Sequence, residues 1–206
     1  MSNRLVIVGA GSHGKMCSTV AKKMNLWREI LFIDDKPMHP VFGIQVKNMN
    51  VISQLINSNT DFFVGIGDNR VRKNFIEQLI SYKANIVNLI DSSAIISSFA
   101  QIELGTVIMP GAIINVDSSI GQGTIVNSGA IIEHDCQIGD YCHISPGVTM
   151  AGNVRVGNET TIGIGSTIIQ NIHIESQVFI GAQSNVVSNI NTPGTYYGSP
   201  ARYIKS

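Results

Sequence analysis

Cysteine is scarce in this chain. Only Cys17, Cys136 and Cys142 occur, and they show neither a metal-ligating spacing nor a disulfide framework. That usage suits a reducing compartment, so the expected location is the cytoplasm. Charge is also sparse, at 14% of residues, and balanced, with 14 basic and 14 acidic side chains. Such a balance provides no basic surface for nucleic acid and no tail of one sign. Long apolar runs are missing too: hydrophobic residues reach 44%, yet none of their runs approaches the length of a membrane span. A transmembrane helix is therefore not expected. The early stretch Leu5 to Val8 is too short and too close to glycine for a signal peptide, and reads as a first strand. With 206 residues there is room for two modest domains.

What is present is a repeat. From Ile90 to about Asn191 the sequence recurs every six residues, with Ile90, Ile96, Ile102, Ile108, Ile114, Ile120, Val126, Ile132, Ile138, Ile144, Met150, Val156, Ile162, Ile168, Ile174, Ile180 and Val186 in register. Four residues after each large residue comes a mostly small one, including Ala112, Ser118, Thr124, Ala130, Cys136 and Cys142. A short fixed period means a solenoid, in which each repeat buries its apolar side only against its neighbours. Six residues fit no helical face but do fit a short strand plus a turn. Ile, Val and Thr supply the strands, and Gly, Asn, Asp and Ser supply the turns. Low charge on such a solenoid points to side faces covered by other copies.

Residues 1–88 read differently, as strands alternating with helices: strand Arg4 to Val8, helix Ser12 to Met24, strand Ile30 to Ile33, a short strand Gly43 to Val46, a short helix Val51 to Asn57, strand Asp61 to Ile66, helix Val71 to Tyr82 and strand Asn85 to Leu89. This order implies a Rossmann-like parallel sheet with its ligand beyond the carboxyl ends of the strands. The first turn is Gly-x-Gly-x-x-Gly, at Gly9, Gly11 and Gly14, with Asp34 and Asp35 about twenty residues on. Glycines there let a phosphate approach a helix N-terminus, and the acidic pair can accept hydrogen bonds from a ribose or base. Fewer than ninety residues make half a dinucleotide fold, which favours a mononucleotide; the alternative is a turn that is glycine-rich only for tight packing.

In the repeat, one hexad stands out: Ile132-Glu133-His134-Asp135-Cys136-Gln137. The pattern points Ile132 and Cys136 inward, so His134 faces outward between two carboxylates. An imidazole so placed is a candidate general base. The bland alternative is a surface histidine with incidental acidic neighbours. Cys136 and Cys142 fall in the inward series and read as packing.

These hexads resemble the hexapeptide-repeat acyltransferases, and the glycine turn and acidic pair resemble the nucleotide-linked amino-sugar N-acetyltransferases within them, with the sialic acid O-acetyltransferases nearby. The resemblance implies a left-handed parallel β-helix of three sheets over residues 89–206, joined to the nucleotide-sugar domain of residues 1–88. Three hexads to a turn make nearly six turns, or ~27 Å of prism at the strand spacing of a sheet. It implies an enzyme using acetyl-CoA as co-substrate, without a metal, trimeric, with acetyl-CoA in the grooves between prisms. By the same resemblance Gly11, Ser12, His13, Asp34, Asp35 and Gly67 bind the nucleotide sugar, with Asn69 and Arg70 beside that last glycine. His134 is the base, with Asp135 where the family usually has Glu, and Glu133 as helper. His143 contacts acetyl-CoA, Ile164 and Ala182 line its groove, and Asn127 is a further candidate nearby.

Two consequences follow from eighteen residues per turn. His134 and His143 are nine apart, half a circuit, so both serve one site only between two chains. Gly152 is eighteen from His134 and lies one rung along, where its N–H is a candidate oxyanion donor. The alternative for His143 is a turn cap. His39 and His173 join no constellation and read as surface residues. The final Tyr197-Gly198-Ser199-Pro200-Ala201-Arg202 is expected to cover the open end of the solenoid. The expected activity is N-acetylation of a UDP-linked 4-amino-dideoxy sugar in bacterial surface-glycan synthesis. Rival readings are sialic acid O-acetylation, a γ-type carbonic anhydrase with three zinc-bound histidines, and a non-catalytic solenoid.

Overall fold

The computed structural model describes residues 3–36 and 39–204. They form two compact units, one up to Ser92 and one from Ser93 onward.

The first unit is built on a parallel sheet. Its elements are β1 (Arg4–Val8), α1 (Ser12–Met24), β2 (Glu29–Asp34), β3 (Val46–Asn48), α2 (Ile52–Leu55), β4 (Thr60–Val64), α3 (Asn69–Ser81) and β5 (Asn85–Ile86). The strand order is β3-β2-β1-β4-β5. The central strands are apolar runs with no polar alternation, because helices cover such a sheet: Leu5 to Val8, Leu31 to Ile33 and Phe62 to Val64 are almost fully buried. α1 buries Cys17, Val20 and Ala21 and ends at Asn25 in the left-handed region.

Where boundaries differ from the sequence reading, a local bond explains it. α3 begins at Asn69 and not Val71 because the Asp68 carboxylate accepts the Val71 N–H at 2.9 Å and caps the helix. β4 ends at Val64 because Gly65 turns against α1. A Cβ on Gly65 would lie 2.8 Å from the Gly14 Cα. The short third strand falls at Val46–Asn48, three residues beyond Gly43, the glycine expected to start it. Buried Asp61 is held by Trp27 Nε1 and Asn85 Nδ2, each donating at 2.6 Å.

The second unit is a parallel β-helix of two-residue strands on three sheets. One sheet stacks the strands starting at Ile95, Ile113, Ile131, Thr149, Thr167 and Asn185, and another those at Gln101, Ser119, Gln137, Arg155 and His173. The third runs from Val107–Ile108 through Ile125–Val126, His143–Ile144, Thr161–Ile162 and Val178–Ile180. From coil to coil the register pairs residues eighteen apart, as in Ile114 with Ile132 and Ile132 with Met150. The large series fills the interior, with Ile114, Ile120, Val126, Ile132, Ile144 and Met150 fully buried.

The small series does more than leave room. At the corners where Ser, Thr or Cys holds this place, its side chain satisfies backbone groups that the strand ladder leaves. The hydroxyls of Ser118, Thr124, Thr160 and Ser166 donate to carbonyls at 2.7–3.0 Å, namely those of Glu133, Gly139, Glu175 and Gly181. The same oxygens of Ser118 and Thr124 accept the N–H groups of Cys136 and Cys142 at 3.1 and 3.0 Å. Cys136 and Cys142 occupy equivalent slots, their thiols donating to Ala151 and Gly157 carbonyls at 3.3 and 3.2 Å. From Gly105 onward the corners take a left-handed residue, mostly glycine, Asp or Asn, with Tyr141, Glu159, Gln177 and Gln183 at the others. One corner carries Asp117, Asp135, Asn153 and Asn171 at φ 56, 61, 58 and 60°.

The C-terminal segment finishes one sheet. Gly194–Tyr197 pairs in parallel with Val178–Ile180 and then antiparallel with Arg202–Ile204. It thus extends that sheet and also bonds the last strand of a second one. There the Asn185 N–H donates to the Gly198 carbonyl at 3.0 Å and the Ala201 N–H to the Asn185 carbonyl at 2.8 Å. The ring of Tyr197 lies over Gly181.

Candidate active site

In the first unit, four expected features meet at the carboxyl ends of β1, β2 and β4: the glycine turn, Asp34, Asp35 and Gly67. Gly9 stands at φ +95°, and a Cβ there would press to 2.8 Å from Ile66 Cγ1. Gly14 has no room for a side chain against the Gly9 carbonyl. These two glycines serve packing, the role read as the alternative. Gly11 is different: it caps α1 with no side-chain bond, and open space surrounds its missing Cβ. The N–H groups following it present the helix dipole to that space. Gly67 faces the same place, its missing Cβ 3.9 Å from the Cβ of His13.

Asp34 is committed to the turn. Its Oδ2 accepts the Ala10 N–H at 2.8 Å and its Oδ1 the Lys36 N–H at 3.0 Å. Asp35 is exposed beside it. Arg70 is exposed. Sequence reading missed Arg72, which is fully buried in α3 and donates to the carbonyls of Ile66 and Gly67, both at 3.0 Å, and to Asn69 Oδ1 at 2.8 Å. It pins the loop that carries Gly67. Nothing in the local pattern separates it from the neighbouring Arg70 except its helical phase with buried Ile76 and Leu79.

In the second unit, His134 projects outward from a corner, half-exposed, with Nδ1 2.6 Å from Asp135 Oδ2. A carboxylate only accepts, so the neutral ring carries its proton on Nδ1 and keeps a lone pair on Nε2. The hydrogen bond to Asp135 raises the His134 pKa above its ordinary value, with the charges of Asp135 and Glu133 adding to the rise and desolvation opposing it. Asp135 reaches the ring because its left-handed turn folds it back. Glu133 acts on the ring by charge alone among the bonds described: its Oε2 is taken by Asn115 Nδ2 at 2.9 Å, one coil earlier. Gly152 is the floor under the imidazole, where a Cβ would lie 2.6 Å from Nε2.

His143 lies on the sheet formed by Ile125 and Thr161, away from the corner of His134. Asn127 Nδ2 donates to its Nε2 at 3.1 Å, which joins two residues expected near one site. The corner following this sheet carries Ser128, Pro146, Ile164 and Ala182 in successive coils. Ile164 is 58% exposed, and the positions beside it in the neighbouring column are Gly163 and Gly181, both buried, the second beneath the Tyr197 ring. A small and apolar strip of this kind fits a pantetheine arm. His39 and His173 are exposed and belong to neither group. Burial raises the thiol pKa of Cys17 and of Cys136, so neither is an activated nucleophile.

A hexapeptide β-helix carrying an outward His–Asp pair, preceded in the chain by a small parallel sheet with a glycine turn, defines an acyltransferase class. Residues 4–79 match the PglD N-terminal domain, and residues 117–152 match the bacterial transferase hexapeptide repeats. The acetyltransferase domain of PglB from Neisseria gonorrhoeae superimposes with a TM-score of 0.95 at 33% identity, covering 98% of this chain and 100% of that one. A mutant GDP-perosamine N-acetyltransferase from Caulobacter crescentus, solved with CoA and GDP-perosamine, gives 0.94 at 30% identity over 98% and 97%. The UDP-N-acetylbacillosamine N-acetyltransferase of Bacillus subtilis is 38% identical over 110 residues, a segment spanning 51% of this chain and 50% of that protein. The chain belongs to the hexapeptide-repeat acetyltransferases with a PglD-type N-terminal domain, whose solenoid is a left-handed β-helix.

Proposed function

We propose that the protein transfers acetyl from acetyl-CoA to the amine of a nucleotide-linked 4-amino-dideoxy sugar, for bacterial surface-glycan synthesis. The observation that carries this reading is the His134–Asp135 pair with Nε2 left open over Gly152. His134 Nε2 takes the proton from the amine as its nitrogen attacks the thioester carbonyl. Asp135 holds the ring and stabilises the imidazolium. The N–H of Gly152 faces the developing oxyanion. The thiolate of CoA then leaves and is protonated by the imidazolium. No acyl-enzyme forms.

The first unit holds the nucleotide through Gly11, Ser12, His13, Asp35 and Gly67, and that remote binding energy orients the sugar. UDP is the nucleotide proposed, following the higher identity to the UDP-sugar enzyme over half the chain, 38% against 30% for the GDP-sugar enzyme over its length. Acetyl-CoA lies along Ile164 and Ala182, with His143 and Asn127 at its end. His134 and His143 occupy different sides of one prism, so both reach the same acetyl-CoA in a homotrimer. The expected location is the cytoplasm; among the described residues no helix is long and apolar enough to cross a membrane.

Turnover of a panel of UDP- and GDP-linked 4-amino sugars, with free and CMP-linked sialic acid as controls, tests the reading. Acetylation of a 4-amino sugar by the wild type and its loss in His134→Ala, with the oligomer intact, are expected. Transfer to sialic acid alone, or full activity of His134→Ala, overturns it.

A further inference from the structure

A hollow of about 260 Å³ lies on the solenoid, lined by Phe99, Gln101, Asp117, Ser118, Ser119 and Gln137. We propose that it is the subsite for the pyranose ring of the acceptor, a proposal that rests on the reading of His134 as the acetyl-transfer base.

The position comes from the register of the coils. Gln101, Ser119 and Gln137 are aligned outward residues of one sheet, paired in succession. Asp117 is one coil below Asp135, the partner of His134, and the Asp135 N–H donates to the Val116 carbonyl at 3.0 Å. The hollow therefore borders the corner that carries the base, about one strand spacing, ~5 Å, toward the start of the solenoid.

Its composition fits a sugar. Phe99 is 70% exposed, so an aromatic face is presented to solvent with no neighbouring ring paired to it among the described contacts. Gln101 and Gln137 each provide a donor and an acceptor, and Ser119 provides a hydroxyl. Asp117 provides an acceptor-only carboxylate for a hydroxyl or amine N–H of the sugar. The corresponding corner residues further along are Asn153 and Asn171, and Asn153 Nδ2 donates to Asn171 Oδ1 at 2.9 Å, a bond within the ladder. Acidic residues occupy this left-handed column only at Asp117 and Asp135, beside the hollow and beside the base.

Asp117→Asn is a clean probe, because Asn already holds the same backbone conformation in two later coils. Phe99→Ala removes a side chain that is mostly exposed and leaves the interior untouched. With the nucleotide-linked 4-amino sugar that the wild type turns over fastest, each variant is expected to raise the KM for the sugar about tenfold, the scale of a lost charged hydrogen bond or stacked ring. The KM for acetyl-CoA and the melting temperature stay unchanged. Unchanged sugar KM in both variants overturns the subsite while leaving the base assignment standing. A rise in the KM for acetyl-CoA in its place reassigns the hollow to the co-substrate and also overturns it. Failure of the wild type to acetylate any amino sugar removes both readings together.

Discussion

Replacing Asp135 with Asn tests the central pair with almost no change of shape. Asn tolerates the left-handed backbone of this corner, and its amide oxygen still accepts from His134 Nδ1. What disappears is the charge. The wild-type imidazole is held above its ordinary pKa of 6.5, chiefly by this carboxylate. The base works only when Nε2 is unprotonated, so kcat/KM falls as pH drops through that raised pKa. In Asp135→Asn the acidic limb moves to lower pH, because the imidazolium has lost its main stabiliser. The same loss makes the ring a weaker proton acceptor, and the plateau drops. Removing a positioned base outright costs about 10²–10⁴-fold. Ring and carboxylate are each 57% exposed, so water screens their attraction and the Asn variant belongs below that range, at about tenfold. The assay is kcat/KM for the sugar across pH 5.5 to 9, at saturating acetyl-CoA, with wild type and Asp135→Asn in parallel. An acidic limb that stays where it was, or moves to higher pH, refutes the assignment of that limb to His134 held by Asp135.

Other outcomes follow from the same geometry. Gly152→Ala places a methyl group against the imidazole, so kcat is expected to fall about tenfold or more with little change in melting temperature, since the ring can swing into solvent; an unaffected kcat refutes the packing of ring on glycine. Asp34→Ala removes the acceptor of the Ala10 N–H and is expected to cost about 1–2 kcal/mol in denaturant unfolding and to raise the KM for the nucleotide sugar. Acetyl-CoA at a hundred times its Kd is expected to stabilise the protein by about 2.7 kcal/mol in thermal unfolding, and Ile164→Glu to abolish that gain. Cys136→Ala is expected to keep full turnover while losing a corner bond, and inactivation of that variant would show that the thiol does more than complete the ladder.

The architecture of the solenoid was legible because its signal is periodic. An inward large residue at every sixth position, followed four later by a small one, admits one way of burying both series, and eighteen residues per coil then place Gly152 under His134. The glycine turn and Asp34 were legible as a cluster for a similar reason, since a parallel sheet brings the ends of consecutive strands together. The division of labour inside each cluster was not. Gly9 and Gly14 serve packing and Gly11 faces open space, a distinction set by Ile66 and the chain at Gly65, which are remote in sequence. Asp34 spends its oxygens on two backbone N–H groups, and only Asp35 remains exposed. Arg72 looks like any helical arginine until the sheet closes over it.

By itself the sequence determined the repeat, the outward direction of His134 and the class of chemistry an imidazole between two carboxylates can do. Only the tertiary structure decided which carboxylate holds the ring. Glu133 and Asp135 are equidistant from His134 along the chain, yet Asn115, a full coil earlier, takes the Glu133 carboxylate, and the left-handed turn delivers Asp135 to Nδ1. The physical reason is that contacts between coils join residues eighteen positions apart, and those contacts exist only once the coils have stacked.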